Sequence, residues 1–294
     1  MSPCEKLTYL ARTEWGATTS REVAERASVG IEAGQVLFLP ELSFAREPRE
    51  SILFTPAILG SAKNTSFDPA TGRLGGTTAS GVDAELLRAL LRRFSDAASA
   101  LVGALLPTYR GTIARGRASF RPAEIAGRAS SWRKDDTRLH VDSFPATPTG
   151  GRRILRVFTN VNPNGRPRSW RVGGDFESVA RRFADTLSIP LAASGHLLAL
   201  LRVTKSPRTA YDALMLQLHD RMKGDEDFQR GSPQWAVDFP AGSTWLAFTD
   251  EVSHAALAGQ YQLEQTFLLP VASMQYSERS PLRVLERLKG KRLA

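Results

Sequence analysis

The run at residues 153–162, Arg-Ile-Leu-Arg-Val-Phe-Thr-Asn-Val-Asn, constrains the fold of this chain more than any other. Its β-branched and aromatic residues suit a pleated strand. Alternation puts Arg156, Phe158, Asn160 and Asn162 on one face and Leu155, Val157, Thr159 and Val161 on the other. The second face must bury itself in a core. The first carries polar groups on an otherwise apolar strand, so it should look into an enclosed polar space. Asn162-Pro163-Asn164-Gly165 then ends the strand with strong turn chemistry.

Further strands are expected at 234–239, 244–249 and 261–272, with Pro240-Ala241-Gly242-Ser243 as a tight connection between the first two. Residues 35–40 read as a short strand closed by Pro40. The stretch 61–81, rich in Gly, Thr, Ser and Ala, reads as a long loop. Residues 109–133 set arginines among Gly, Ala and Ser, as strand and loop lining a basic cleft.

Four helices are expected. Leu86, Leu87, Leu90, Leu91, Phe94, Ala97, Ala98 and Leu101 recur at helical spacing over 82–106, and Pro107 stops that helix. Asp175 can cap a second at 175–188. Ser206 and Pro207 suit the start of a third at 206–222, and a short one follows at 281–288. The expected class is α+β: a double-stranded β-helix (jelly-roll, cupin-like) core with flanking helices. One domain spans 1–294, with N-terminal helices and outer strands to about 135. The core covers about 136–275, and a helix with a basic tail closes at 276–294.

The net charge is +9, mostly from arginine, so an anionic partner is expected: nucleic acid, acidic substrate or membrane head groups. No interleaving of basic and aromatic residues supports nucleic acid. The one cysteine, Cys4, allows neither an internal disulfide nor a cysteine-based zinc site. The N-terminus lacks a secretory pattern, and no run reaches about 18 uncharged apolar residues. A cytoplasmic protein is expected.

Of the four histidines, His196 precedes an apolar run and reads as structural, and His219 falls inside a helix. His140 and His254 sit beside polar and small residues at strand edges. In Arg138-Leu139-His140-Val141-Asp142, the His and the carboxylate can face the same way and chelate one metal. His254, far down the chain, is the candidate third ligand. Two His and one carboxylate with open positions form the facial triad of non-haem Fe(II) oxygenases, and no thiolate is present to favour zinc. The same pattern also fits two core histidines and a turn aspartate. If the metal is iron, a 2-oxoacid and dioxygen fill the open positions, and the distal carboxylate of 2-oxoglutarate needs a cation. Arg156 is the first choice, on a strand expected beside the ligand strand, and Asn160 shares its face. Arg138 shares a face with His140.

The segment from Arg138 through Asn160 and the segment from Asp238 through Gln265-Thr266 resemble the metal-binding blocks of the Kdo 3-hydroxylases, and the resemblance extends over most of the chain. It implies an Fe(II)/2-oxoglutarate-dependent dioxygenase that hydroxylates C3 of the sugar acid Kdo in the Kdo–lipid A inner core, giving Ko. It places the triad on His140, Asp142 and His254. Many relatives in the wider superfamily carry the oxoglutarate arginine shortly after the distal His. Here 259–266 offers Gln260, Gln262 and Gln265 and no cation, which leaves Arg156, with Asn160, Gln265 and Thr266 as further cosubstrate contacts. Arg128, Arg133, Lys134 and Arg138 are substrate candidates. A basic cleft and tail imply peripheral contact with the cytoplasmic face of the inner membrane. A non-enzymatic barrel binding an anionic glycan, or a dioxygenase with another substrate, are the other readings.

Overall fold

The structure is a computed structural model that describes residues 3–128, 130–191 and 194–294. Met1 and Ser2, in the N-terminal segment read above, lie outside them. Among the described residues, eleven strands form two sheets. In chain order they are β1 (Leu7–Tyr9), β2 (Val36–Leu39), β3 (Thr65–Phe67), β4 (Leu74–Gly75), β5 (Ala114–Arg121) and β6 (Arg153–Asn160). Then come β7 (Arg168–Gly173), β8 (Gln234–Phe239), β9 (Thr244–Phe248), β10 (His254–Ala258) and β11 (Gln262–Leu269). The helices are α1 (Arg21–Glu32), α2 (Gly81–Leu105), α3 (Phe176–Phe183), α4 (Ser194–Leu200), α5 (Ala210–Gly224), α6 (Glu226–Gly231) and α7 (Pro281–Lys289). The class is α+β.

The large sheet runs β1-β2-β9-β6-β11-β5-β3-β4, antiparallel except for β1 beside β2; the small sheet runs β10-β7-β8. One face of the large sheet carries Leu155 and Val157 of β6 and Leu263 and Phe267 of β11 into the core shared with the helices. The α2 stripe of Leu87, Leu90, Leu91, Phe94, Ala98 and Leu101 is buried in that core. Phe94 meets Trp15 and Phe44 edge-on at 5.9 and 5.4 Å. Burial of each such side chain contributes roughly 1.5–3 kcal/mol.

The other face meets the small sheet. Phe38, Phe158 and Trp245 from the large sheet interlock with Trp170 and Phe239 from the small one. Phe239 stacks on Trp245 at 4.0 Å between centroids and Trp170 meets Trp245 edge-on at 5.6 Å. Asn160, buried at the end of β6, donates to the carbonyls of Arg166 and Phe239, and so ties the large sheet to the small one.

Several expectations need correction. Pro240-Ala241-Gly242-Ser243 does not close a hairpin: β8 pairs with β7, whereas β9 pairs with β2 and β6, so this link carries the chain from one sheet to the other. Turn chemistry alone cannot say which strands it joins. The stretch 61–81 is not one long loop; it contains β3 and β4, a small hairpin on the edge of the large sheet. The third helix begins at Ala210, not Ser206, because Thr209 and Asp212 form a reciprocal capping box. Strand β6 does not neighbour the ligand strand. It lies in the large sheet, whereas His254 opens β10 of the small one.

Candidate metal centre

The two ligand segments meet as an isolated antiparallel bridge. The His140 amide donates to the His254 carbonyl at 3.0 Å, and the His254 amide to the His140 carbonyl at 2.9 Å. Directly opposed residues put their side chains on one side, and the rings lie 4.6 Å apart. Two residues on, the Asp142 amide donates to the Thr249 carbonyl at 2.7 Å, which keeps the segment extended and turns Asp142 the same way. Gly173, at the end of β7, lets the segment before His254 come close: a Cβ there would stand 2.7 Å from the Ser253 Cβ.

Both histidines are held alike. Each Nδ1–H donates at 2.8 Å to a carbonyl two residues back, of Arg138 for His140 and of Val252 for His254. A carbonyl can only accept, so each Nε2 is left with its lone pair facing inward. The ligand atoms of His140, Asp142 and His254 all lie within 4.8 Å of one another. His254 stacks on Trp170 at 5.1 Å, and the His219 ring stands edge-on to His140 at 5.4 Å.

Burial pushes the pKa of both ligand histidines down, helped at His140 by the neighbouring His254, so both are neutral at pH 7. Burial alone would push Asp142 up. Arg156 and the two imidazoles outweigh it and hold Asp142 below the usual carboxylate range. Arg156 Nε stands 3.2 Å from Asp142 Oδ2, an ion pair too poorly aligned to be a hydrogen bond. Two neutral imidazoles and one carboxylate, with a buried carboxylate oxygen that lacks a hydrogen-bond donor, fit a divalent cation.

Beside the triad lies a cavity of about 120 Å³. Its charged lining is three arginines (Arg121, Arg156, Arg168) and three carboxylates (Asp136, Asp142, Glu264), which balance. A divalent cation would leave two positive charges, and a dicarboxylate would cancel them. The arginines are not equivalent. Arg121 pairs with Glu264 at 3.1 Å and Asp136 at 3.8 Å; Arg156 pairs with Asp142 and, at 2.9 Å, with Glu264. Arg168 is 1% exposed and, among the described residues, has no carboxylate within ion-pair distance. It donates to the Gly259 carbonyl, its Nε has no partner, and burial pulls its pKa down to about 9. A buried, unneutralised guanidinium is costly unless an anion joins it. The indole N–H of Trp170, on the same cavity, is likewise without an acceptor among the described residues.

The expected site residues divide. His140, Asp142 and His254 come together, and Arg156 joins them from the opposite sheet. Thr266 lies in a neighbouring groove. Asn160 is used up by backbone carbonyls, and Gln265 is fully buried on the helix side of β11, donating to the Gly116 and Thr266 carbonyls; neither lines the cavity. Arg138 donates to the Lys223 carbonyl and pairs with Glu226 at 2.5 Å. Arg133 stacks on Trp132 and pairs with Asp220 at 3.2 Å; Arg128 and Lys134 are exposed. His196 is exposed on α4. Sequence reasoning missed Arg168 and Trp170. The signal was available: alternation along β7 puts Arg168 on the inward face with Trp170 and Val172, a charge in an apolar row.

A buried His–Asp–His face between two packed sheets, open toward an arginine-lined cavity, defines a mononuclear metal enzyme of the non-haem type. Residues 14–292 match the family of 3-deoxy-D-manno-oct-2-ulosonic acid (Kdo) hydroxylases, and the chain belongs to that family. Among solved structures it is similar to the Kdo hydroxylase KdoO, a non-haem Fe(II) α-ketoglutarate-dependent dioxygenase. The cobalt(II) complex of KdoO is 45% identical, with a TM-score of 0.96 and coverage of 98% of this chain and 97% of the other. The complex with α-ketoglutarate and Fe(III) is 45% identical, with a TM-score of 0.95 and the same coverage. No curated protein sequence matches the chain.

Proposed function

We propose that this protein is an Fe(II)/2-oxoglutarate-dependent dioxygenase that hydroxylates C3 of Kdo in the Kdo–lipid A inner core of lipopolysaccharide, giving Ko. The two sheets then form the double-stranded β-helix of a jelly roll, and the chain is one catalytic domain. One observation carries the reading: a ligand triad with both Nε2 atoms preset lies beside a buried guanidinium, Arg168, that lacks an anion.

His140, Asp142 and His254 would hold the iron. Bound iron, with 2-oxoglutarate and dioxygen, supplies the oxidising power: one oxygen atom enters the C–H bond, and the other enters succinate as carbon dioxide leaves. The chain's own residues do the rest. Arg168 and the Trp170 indole N–H would take the distal carboxylate, a grip that the segment after His254 cannot supply. Arg156 would keep Asp142 ionised and fixed in orientation. Phe158 and Trp170 would supply an aromatic wall on one side of the cavity.

The substrate is anionic and acylated, so the enzyme would work in the cytoplasm at the inner membrane surface. No helix among the described residues is long and apolar enough to cross a membrane. Leu191, Leu197, Leu200, Leu201 and Val203 are exposed, with the cations Arg202 and Lys205 among them. This patch would rest on anionic head groups, and L200S/L201S should then lower co-sedimentation with anionic vesicles.

The direct test is incubation of the Fe(II)-loaded protein with 2-oxoglutarate, dioxygen and Kdo–lipid A. Succinate should form, and mass spectrometry should find one added oxygen on Kdo. Absence of both products would overturn the reading.

A further inference from the structure

A second groove, of about 440 Å³, opens beside the metal cavity. Arg156 and Glu264 line both spaces, so the groove adjoins the metal cavity, and Arg156 links it to Asp142. Its floor continues along the inward face of the large sheet through Thr266, which pairs in register with Arg156. One wall is the segment that follows Asp142, where Phe144 covers the Arg156 guanidinium at 5.6 Å. The facing wall comes from the chain after α4, tied to the first where the Lys205 amide donates to the Ala146 carbonyl at 2.9 Å.

Three cations converge here from three separate elements: Arg117 from β5, Arg152 from the turn before β6, and Lys205. Arg117 donates to Ser66 Oγ at 3.3 Å and Arg152 to the Thr149 carbonyl at 2.8 Å. None of the three has a carboxylate within ion-pair distance among the described residues. The one acid of the lining, Glu264, is already shared between Arg121 and Arg156. The groove is therefore electropositive, of a size that suits a small ligand, and walled by an aromatic ring beside Arg156.

We propose that this groove is the acceptor site, and that Arg117, Arg152 and Lys205 bind the anionic groups of the substrate: the carboxylate of an acidic sugar and the phosphates of its carrier. This rests on the dioxygenase reading above, and it names residues outside the metal and cosubstrate cavity. It also moves the substrate contacts away from Arg133 and Arg138, which are engaged by Asp220 and Glu226.

The test compares wild type with R117Q, R152Q, K205Q and the triple variant, using Kdo–lipid A in neutral micelles. Each single substitution should raise the acceptor KM about 5- to 10-fold and the triple more than about 50-fold, in line with lost charge-assisted contacts. The kcat, and the KM for 2-oxoglutarate, should stay within about twofold. R181Q, on α3 and paired with Glu177, is the charge-loss control and should leave the acceptor KM unchanged. Direct binding of the same micelles to the protein, without turnover, separates the two claims. Binding lost in the triple variant supports the groove even if wild type makes no Ko, an outcome that would overturn the dioxygenase reading alone. A triple variant that binds and turns over the acceptor like wild type overturns the groove and leaves the dioxygenase reading standing.

Discussion

Arg156 Nε lies 3.2 Å from Asp142 Oδ2, although the two residues belong to opposite sides of the fold. Asp142 follows the bridge to β10 in the small sheet; Arg156 projects from β6 in the large one. The metal site is thus closed by contact between the sheets. R156Q should let burial raise the Asp142 pKa and leave the carboxylate free to rotate. Anaerobic Co(II) or Fe(II) titration should then show affinity lower by about 10- to 100-fold, the usual scale for loss of a ligand's supporting partner. Unchanged affinity would refute a positioning role.

Arg168 has a different task. R168Q should raise the KM for 2-oxoglutarate roughly 10- to 100-fold, the scale of a lost charged hydrogen bond. Metal affinity should stay within twofold, because Arg168 touches no ligand atom. The charge-transfer absorbance of the Fe(II)–2-oxoglutarate complex reports both. W170F leaves a smaller aromatic ring beside His254 and removes the indole N–H, so its effect on the 2-oxoglutarate KM should have the same sign and be smaller.

The buried cluster around Arg153 should make stability depend on pH. Arg153 is fully buried and bonds Asp250 at 2.8 Å and Glu251 at 2.5 Å, with Phe248 against its guanidinium. One cation faces two carboxylates. Burial, against the pull of Arg153 and with the push of Asp250, raises the Glu251 pKa to about 7 from 4.5. The folded chain therefore holds this proton more tightly than the unfolded one. The resulting stabilisation is fully present below about pH 4.5 and is lost as pH rises to about 7. Linkage makes this roughly 3 kcal/mol. Urea melts of E251Q should be flatter than wild type across that window, with a relative gain at pH 8. Parallel curves would refute the assignment.

Phe94 tests the other face of the large sheet. It is fully buried and held edge-on by Trp15 and Phe44. F94A should cost about 3–5 kcal/mol in denaturant melts, from lost burial and the cavity left behind. Because Phe94 lies on the helix side, metal affinity of the folded variant should match wild type.

Local chemistry was readable wherever it depended on near neighbours in the chain. The stripe of α2, the Asp175 cap of α3 and the two faces of β6 follow from spacing alone. The His140–Asp142 pair is equally local, since alternation turns both the same way. The start of α5 was misplaced because Ser206-Pro207 and Thr209-Asp212 offer competing caps, and only the second closes reciprocally. Asn160 looked available from its inward face, yet backbone carbonyls that alternation cannot show consume it.

Thus the sequence by itself determined the ligand set, the polar inward face and the family. Tertiary structure alone decided which arginine has no carboxylate partner among the described residues. Of the cavity's guanidiniums, Arg121 and Arg156 find carboxylates and Arg168 does not. Side-chain types and their periodicity are properties of the chain. Charge neutralisation is a property of distance, and those distances exist only once two sheets, distant in sequence, pack around one cavity.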